Sequence, residues 1–310
     1  MAAPISPITI NGIPWDVYER GLDKITKTTV DSVTNWIPKL FTTTNKKTKQ
    51  IIERSYAGVP EAESWNPNGE QIPEASINTR FKILAENGWL GQSVGYTLEM
   101  KTFDENDLMT KMAGDLANAV AVAKQKSALA FLEGGLSTVW NVEANEYLFT
   151  ASHYLDPRYG SGTEVYGNLV TGAPSVSTLS DGINLLVGTP DDLGNPKMIL
   201  PKFILCHTNK YLTWKQILGH NTGEAYRSDT ANATPNPFSE YNIVPVACPW
   251  IQTETHAFLF GNENGLVWNE VIGFKSTFGT DLKTQLTTHL AYSAFTRYAR
   301  DWRGVVCING

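Results

Sequence analysis

The longest regular pattern in the chain runs from Asp104 to Gly135. Apolar side chains recur at Leu108, Met112, Leu116, Val120 and Ala123, with Phe131 and Leu132 near the end. That spacing lines one face of a helix. Ala113, Ala117, Ala119, Ala121, Ala128 and Ala130 favour helix and keep the cylinder thin, so another element can approach closely. Asp104 is placed to cap the start, Asp107 to sit in the first turn, and Gly134-Gly135 to stop the helix. About 29 residues at about 1.5 Å each predict a rod of roughly 43 Å. It lacks sustained heptads and is too polar to cross a membrane. A long, thin, one-sided helix predicts a spine laid across a sheet.

Elsewhere the period changes to two. Val94, Tyr96, Leu98 and Met100 alternate with Ser93, Gly95, Thr97 and Glu99, which predicts a strand from about Trp89 to Met100. Lys46 to Tyr56 is charged and strand-like, and Pro60 to Asn78 is a polar tip. Together they predict a long hairpin over residues 44–100. A two-stranded hairpin is marginal in water. Its Ile51, Ile52, Trp65, Ile72, Phe81 and Ile83 therefore need cover, and a neighbouring subunit is the simplest source. Trp15, Ile51, Ile52, Trp65, Ile72, Phe81 and Trp89 form the predicted set of inter-subunit contacts.

Residues 1 to about 30 read as an arm laid on a surface. Pro4, Pro7 and Pro14 keep its start extended, and Trp15, Val17, Tyr18, Leu22 and Ile25 anchor it. Asp31 to Leu40 predicts a short helix closed by Pro38. Residues from about 175 to 270 predict a compact α/β unit. Its parts are a helix at Val176–Val187, an acidic turn at 189–196, a buried strand at Met198–Cys206 and a helix at Thr208–Leu218. A long polar loop (219–242) and strands at Ile243–Val246 and Ala257–Phe260 follow. The end, from about Asp281 to Ile308, reads as β-rich.

Composition narrows the class. The chain has 310 residues, 42% hydrophobic and 18% charged, which is globular rather than disordered. Its formal net charge of −6 is not that of a strongly basic nucleic-acid binder. Cys206, Cys248 and Cys307 are odd in number and widely spaced, and read as buried free thiols. No signal peptide and no stretch of about 18 apolar residues is present.

Catalytic patterns are sparse. Gly91-Gln92-Ser93-Val94-Gly95 fits G-x-S-x-G, but a nucleophile elbow needs a strand before the serine and a helix after it. Here an alternating strand surrounds it. Cys206 and His207 are adjacent on a strand and point to opposite faces. His153 with Asp156 supplies two ligands, which do not make a metal site. Asp191-Asp192 is explained by turn chemistry. Trp89, Trp140, Trp214, Trp250, Trp268 and Trp302 are scattered, as core or interface anchors are. No catalytic, cofactor-binding or metal-ligating residue is assigned, and the chain is not expected to be an enzyme.

The order of parts resembles the major capsid protein of tailed bacteriophages, the Hong Kong ninety-seven type fold. Local phrases are similar to the Mu-like major head subunit family. They are EYLFTASHYLDPRYGSGTEVYGNLVTG, then LSDGINLL, DDLGNPKMILPKFILCHTN and YLTWKQIL, with DWRGVVCING closing the chain. The likeness covers nearly the whole chain in layout and is specific over about residues 146 to 218. It implies an α+β fold with an N-terminal arm (1–43) and an extended hairpin loop (44–100). A peripheral domain with spine helix (101–170 and 276–310) and an axial domain (171–275) complete it. It implies hexamers and pentamers in an icosahedral shell around double-stranded DNA, located in the virion and assembled in the host cytoplasm.

The implied partners are other copies of the chain, a portal, a separate scaffolding protein and a decoration protein. DNA is enclosed without sequence-specific binding, and neither membrane nor cofactor is involved. Some members join a hairpin lysine to a neighbour's asparagine. Lys46, Lys47 and Lys49 lie at the hairpin base and the tip carries Asn66 and Asn68 without lysine, so that chemistry is not carried over. The alternatives are an encapsulin-like nanocompartment shell and a serine hydrolase using Ser93.

Overall fold

Trp15, Tyr18, Leu22 and Ile25 are spaced by three and four, and they fold the arm into a helix rather than leaving it extended. The computed structural model describes residues 9–10, 13–56, 79–103, 107–141, 145–154, 165–191, 194–219 and 238–310. In chain order, β1 (Thr9–Ile10) and β2 (Ile13–Pro14) lead into α1 (Trp15–Ser32), α2 (Ile37–Leu40) and β3 (Thr42–Thr44). Then come β4 (Gln50–Tyr56), β5 (Thr79–Glu86), β6 (Gly88–Tyr96), α3 (Leu98–Thr102) and α4 (Leu108–Gly134). Short strands follow: β7 (Val139–Asn141), β8 (Glu146–Tyr147), β9 (His153–Tyr154), β10 (Val165–Tyr166) and β11 (Leu169–Thr171). The last third holds α5 (Val176–Val187), β12 (Pro201–His207), α6 (Tyr211–Leu218) and β13 (Val244–Cys248). It closes with β14 (His256–Gly261), β15 (Leu266–Thr280), β16 (Thr287–Ala299) and β17 (Val305–Asn309).

The chain divides into two compact units. One comprises Met1–Lys49, Glu86–Ala128 and Trp268–Thr296; the other comprises Gln50–Ala85, Leu129–Val267 and Arg297–Gly310.

The first unit is built on a four-stranded sheet in the order β3-β15-β16-β6. The spine helix lies on one face of it. Leu116 and Val120 of α4 pack against Leu90, Val94, Phe274 and Ala291 from the sheet. Met109 and Ala113 meet Tyr96 and Phe278, and Leu22, Trp15 and Tyr18 of α1 close the same cluster. The buried stripe of α4 runs Met109, Ala113, Leu116, Ala117, Val120, Ala121. Leu108, the expected start of the stripe, is exposed. A strict four-residue series drifts about 40° per step round a helix of 3.6 residues per turn, so the buried line must alternate threes and fours. Asp107 is not in the first turn but precedes the helix in a left-handed conformation (φ 50°), and Asp104 lies outside the described residues. Trp268 is fully buried, stacked on Phe295 at 4.4 Å with Phe41 edge-on at 5.9 Å.

The hairpin differs from the sequence expectation. The partner of β4 is β5, and the two form a separate two-stranded sheet. Of the 89–100 stretch, the part up to Tyr96 instead supplies β6, which pairs antiparallel with β16 from Gly88↔Phe295 to Tyr96↔Thr287, while Leu98–Met100 turn into α3, capped by the Thr97 hydroxyl. Only Asn87 separates β5 from β6, and its amide donates to the carbonyls of Thr48 and Lys49. The tip at 60–78 lies outside the described residues.

The second unit carries a five-stranded sheet in the order β11-β17-β14-β12-β13. Its outer pairs are parallel and its inner pairs antiparallel. On one face Ile204, Cys206, Ala257, Leu259, Val306 and Ile308 pack under α5 and α6. On the other, Leu205, Phe258, Phe260 and Val305 are buried as well, with Phe149 at 5.5 Å from Phe258. Burial on both faces is why these strands read as continuous apolar runs. Helix α5 matches its expected bounds and starts in a reciprocal Ser175–Thr178 cap. Helix α6 ends at Gly219 in the left-handed conformation (φ 65°). Strand β15, 15 residues long, went unread in the sequence.

Candidate functional site

The catalytic patterns resolve first. Ser93 lies mid-strand in β6, opposite Leu290, with strand on both sides of it. That is not the strand-to-helix turn an elbow requires. The Cys206 thiol is buried, 3.7 Å from the Val246 carbonyl, and burial with Cys248 nearby pushes its pKa up to about 12. His207 faces away from it and accepts the Asn209 N–H at 3.1 Å as a cap. Asp191 accepts the Asn195 N–H at 2.8 Å within its turn; Asp192 lies outside the described residues. Among the described residues, no group of three or more His, Cys, Asp and Glu is placed to hold a metal.

His153 belongs to a different cluster from the one expected. Asp156 lies outside the described residues, and Nδ1 of His153 faces the Glu146 carboxylate at 3.4 Å. The imidazole stacks on Trp302 at 4.3 Å, with the ring planes nearly parallel at 6°. Its Nε2 reaches Oδ1 of Asn168 at 3.0 Å. The Asn168 amide donates towards the carbonyls of Leu148 (2.9 Å), Trp302 (3.2 Å) and Val305 (3.3 Å), and its Oδ1 also accepts the Thr150 N–H (3.1 Å). Every member is held by another. The cluster is a clasp that ties 145–154 to β11 and β17.

Several large apolar side chains are exposed. In the first unit, Trp89 is 71% exposed. It stands on the outer face of the β6–β16 pair beside Tyr292, at 6.5 Å between rings. Leu290 and Leu286 are exposed on the same hairpin. Between them, Gly91, Ser93 and Gly95 leave the face shallow, and the side chains of Tyr292 and Leu286 lean over the two glycines. At the tip of the β15–β16 hairpin, Leu282 is 85% exposed. The turn that presents it is held by Asp281, whose carboxylate accepts the Lys283 N–H and the Thr284 hydroxyl.

In the second unit the described part of the hairpin has two unlike faces. Ile51, Ile83 and Ala85 are buried against Val267 and Tyr298. Glu53, on that same face, accepts the Tyr298 hydroxyl (2.8 Å) and two N–H groups of Arg300. Ile52 and Leu84 point the other way and are 56% and 55% exposed.

The expected contact residues thus separate. Ile52 and Trp89 are exposed. Ile51 is covered by its own chain, because strand alternation places it on the anchored face. Trp15 is half-buried against Tyr18 at 6.0 Å, with Lys101 Nζ 4.8 Å above its ring. Trp65 and Ile72 lie outside the described residues, and of Phe81 only the strand backbone is described. Leu282, Leu286 and Leu290, which the sequence places roughly on one face of the chain's end with Tyr292 and Ala294, are not among the expected contacts. Their signal was an apolar residue every four positions across a hairpin turn.

Residues 88–308 match the family described as phage capsid protein. No curated protein matches the chain in sequence. Among solved structures it is similar to the capsid of the cyanophage P-SCSP1u, at 11% identity and TM-score 0.59, over 88% of this chain and 87% of that one. It is similar to a chain from Mycobacterium phage Patience, at 12% identity and TM-score 0.54, over 98% of this chain and 90% of that one. It is also similar to the holo-SrpI encapsulin complex of Synechococcus elongatus PCC 7942, at 12% identity and TM-score 0.51, over 90% and 88%. At these identities the likeness is one of fold.

Proposed function

The chain belongs to the phage capsid protein family, and from that premise we propose that this major capsid protein assembles from copies of itself into hexamers and pentamers of an icosahedral shell enclosing double-stranded DNA. The observation that carries the reading is the uncovered apolar face of Trp89, Leu290 and Leu286 in a chain of this family. Heterologous contacts of one patch with another close into rings, and rings into shells. Specific contacts between copies would each bury roughly 800 Å² or more per partner. The hairpin tip reaches over an adjacent subunit, and the residues of 171–275 surround the capsomer centre. The chain acts as wall material and not as an enzyme. A scaffolding protein, a portal and a decoration protein act with it, and assembly takes place in the host cytoplasm. The narrower Mu-like kinship rests on the phrases between 146 and 218 alone.

Encapsulin shells share this fold, so the second reading is a nanocompartment. Contents separate the two. Particles recovered from the producing cells should hold nuclease-resistant double-stranded DNA. Particles that carry a protein cargo and no genome would replace the capsid reading with the nanocompartment one. A subunit that sediments as a monomer at every salt and protein concentration would overturn both.

A further inference from the structure

Strand β6 forms one edge of the four-stranded sheet, and among the described residues no strand pairs with its second side. Nine residues long, it reads Gly-Trp-Leu-Gly-Gln-Ser-Val-Gly-Tyr. It carries no charge, no proline and no bulge against β16. These are the devices that keep edge strands from pairing with other chains. An unguarded edge of this length, flanked by a mostly exposed tryptophan, is a template awaiting another strand.

The sequence of β6 says which strand. Read antiparallel against itself about Gln92, Trp89 falls opposite Gly95, Tyr96 opposite Gly88, Leu90 opposite Val94 and Gly91 opposite Ser93. Every large side chain meets a glycine, and the two medium apolar residues meet each other. Trp89 and Gly95 share the outer face of the sheet, so the exposed indole of one copy would lie over the glycine of the other, twice across a two-fold axis. Leu90 and Val94 share the inner face. Gln92, itself exposed, would face its own symmetry mate, where two amides can hydrogen-bond to each other.

We propose that two copies of this chain join edge to edge through β6, antiparallel and centred on Gln92, making one eight-stranded sheet across a two-fold axis. The inference rests on the self-assembly reading and names one of its contacts. The interface is isologous, unlike the ring contacts, and so provides a join between capsomers.

The test uses the full chain with Gln92→Cys. Only a two-fold centred on this residue brings the new thiol beside its own copy. The chain's own Cys206, Cys248 and Cys307 are buried and do not compete. The control is Leu212→Cys, an exposed position on α6. Under mild oxidation, assembled Gln92→Cys protein should run as a disulfide-linked dimer on non-reducing gels while Leu212→Cys stays single. A second measurement needs no substitution. Amide hydrogen exchange at alternate residues of 88–96 should slow on assembly. Particles that form normally but show neither the dimer nor slowed exchange would overturn the β6 contact and leave the shell reading standing. Failure of the unmodified chain to form particles, with no Gln92→Cys dimer, would remove both.

Discussion

Replacing Asn168 by Ala should be among the most damaging single changes in the second unit. Asn168 is 2% exposed. Its amide has two protons to share among the carbonyls of Leu148, Trp302 and Val305, and its Oδ1 accepts from Thr150 N and His153 Nε2. Counting two donated and two accepted bonds at about 1 kcal/mol net each gives about 4 kcal/mol. The Thr150 N–H and the imidazole left behind are buried groups with a lost partner, which keeps the cost from falling below that sum. For a domain of this size, each kcal/mol moves the melting temperature by about 2–4 °C, so the expected drop is roughly 8–16 °C. Asn168→Asp should be at least as costly, because a carboxylate oxygen would replace the donor facing three carbonyl oxygens. The assay is thermal melting of the unassembled subunit by near-ultraviolet circular dichroism, where Trp302, stacked on His153, reports the site directly. If Asn168→Ala melted within about 2 °C of the parent, the clasp would not be holding 145–154 to the sheet.

Other expectations follow from single observations. Gly304 has φ +88°, and a Cβ there would overlap the Glu263 carbonyl oxygen. Gly304→Ala should cost roughly 2–6 kcal/mol by chemical denaturation, while Gly279→Ala, with open space around it, should be close to neutral. His289 is fully buried beneath α1, with Nδ1 3.2 Å from the Tyr96 hydroxyl and the ring 4.0 Å from Phe278. Burial lowers its pKa, with Asp23 opposing in part. Its neutral form is therefore the folded one, and the stability it contributes is present above its unfolded pKa near 6.5 and lost as pH falls through the lower folded value. Melts from pH 7 to 5 should show a loss that His289→Phe reduces; an unchanged slope would clear His289 of the effect. The three cysteines are buried, with Cys206 and Cys307 pushed up to about 12 by burial, so native protein should not react with thiol reagents until it unfolds. With a net charge of −6, the subunit should not shift naked duplex DNA in a gel, and a tight salt-sensitive complex would contradict confinement without phosphate contacts.

Local periodicity made some of the molecule legible. Helix α5 and the core strands β12 and β14 stood out because their patterns are complete within a few residues and their strands are buried on both faces. The spine was legible for length but not for its face, since Leu108 and Met109 both fit a stripe and only the packing partner chooses. Pairing was not legible. Nothing local in 79–100 says that the chain leaves one sheet for another at Asn87, because a strand's partner is a non-local fact. Strand β15 escaped because much of it is half-exposed, so polar and apolar residues occupy both of its faces. Of the expected contacts, Trp89 announced itself as a large aromatic on an alternating strand. Ile51 and Ile52 could not be told apart, since adjacent residues face opposite ways and the sequence does not say which side the body of the unit lies on.

The central claim is that one copy is incomplete and that other copies complete it. Negative-stain electron microscopy of the purified, unmodified protein tests this most directly. Closed particles of uniform size with five-fold and six-fold capsomers are the predicted image. Dispersed single subunits, persisting across salt, pH and concentration and with a scaffolding partner supplied, would contradict it.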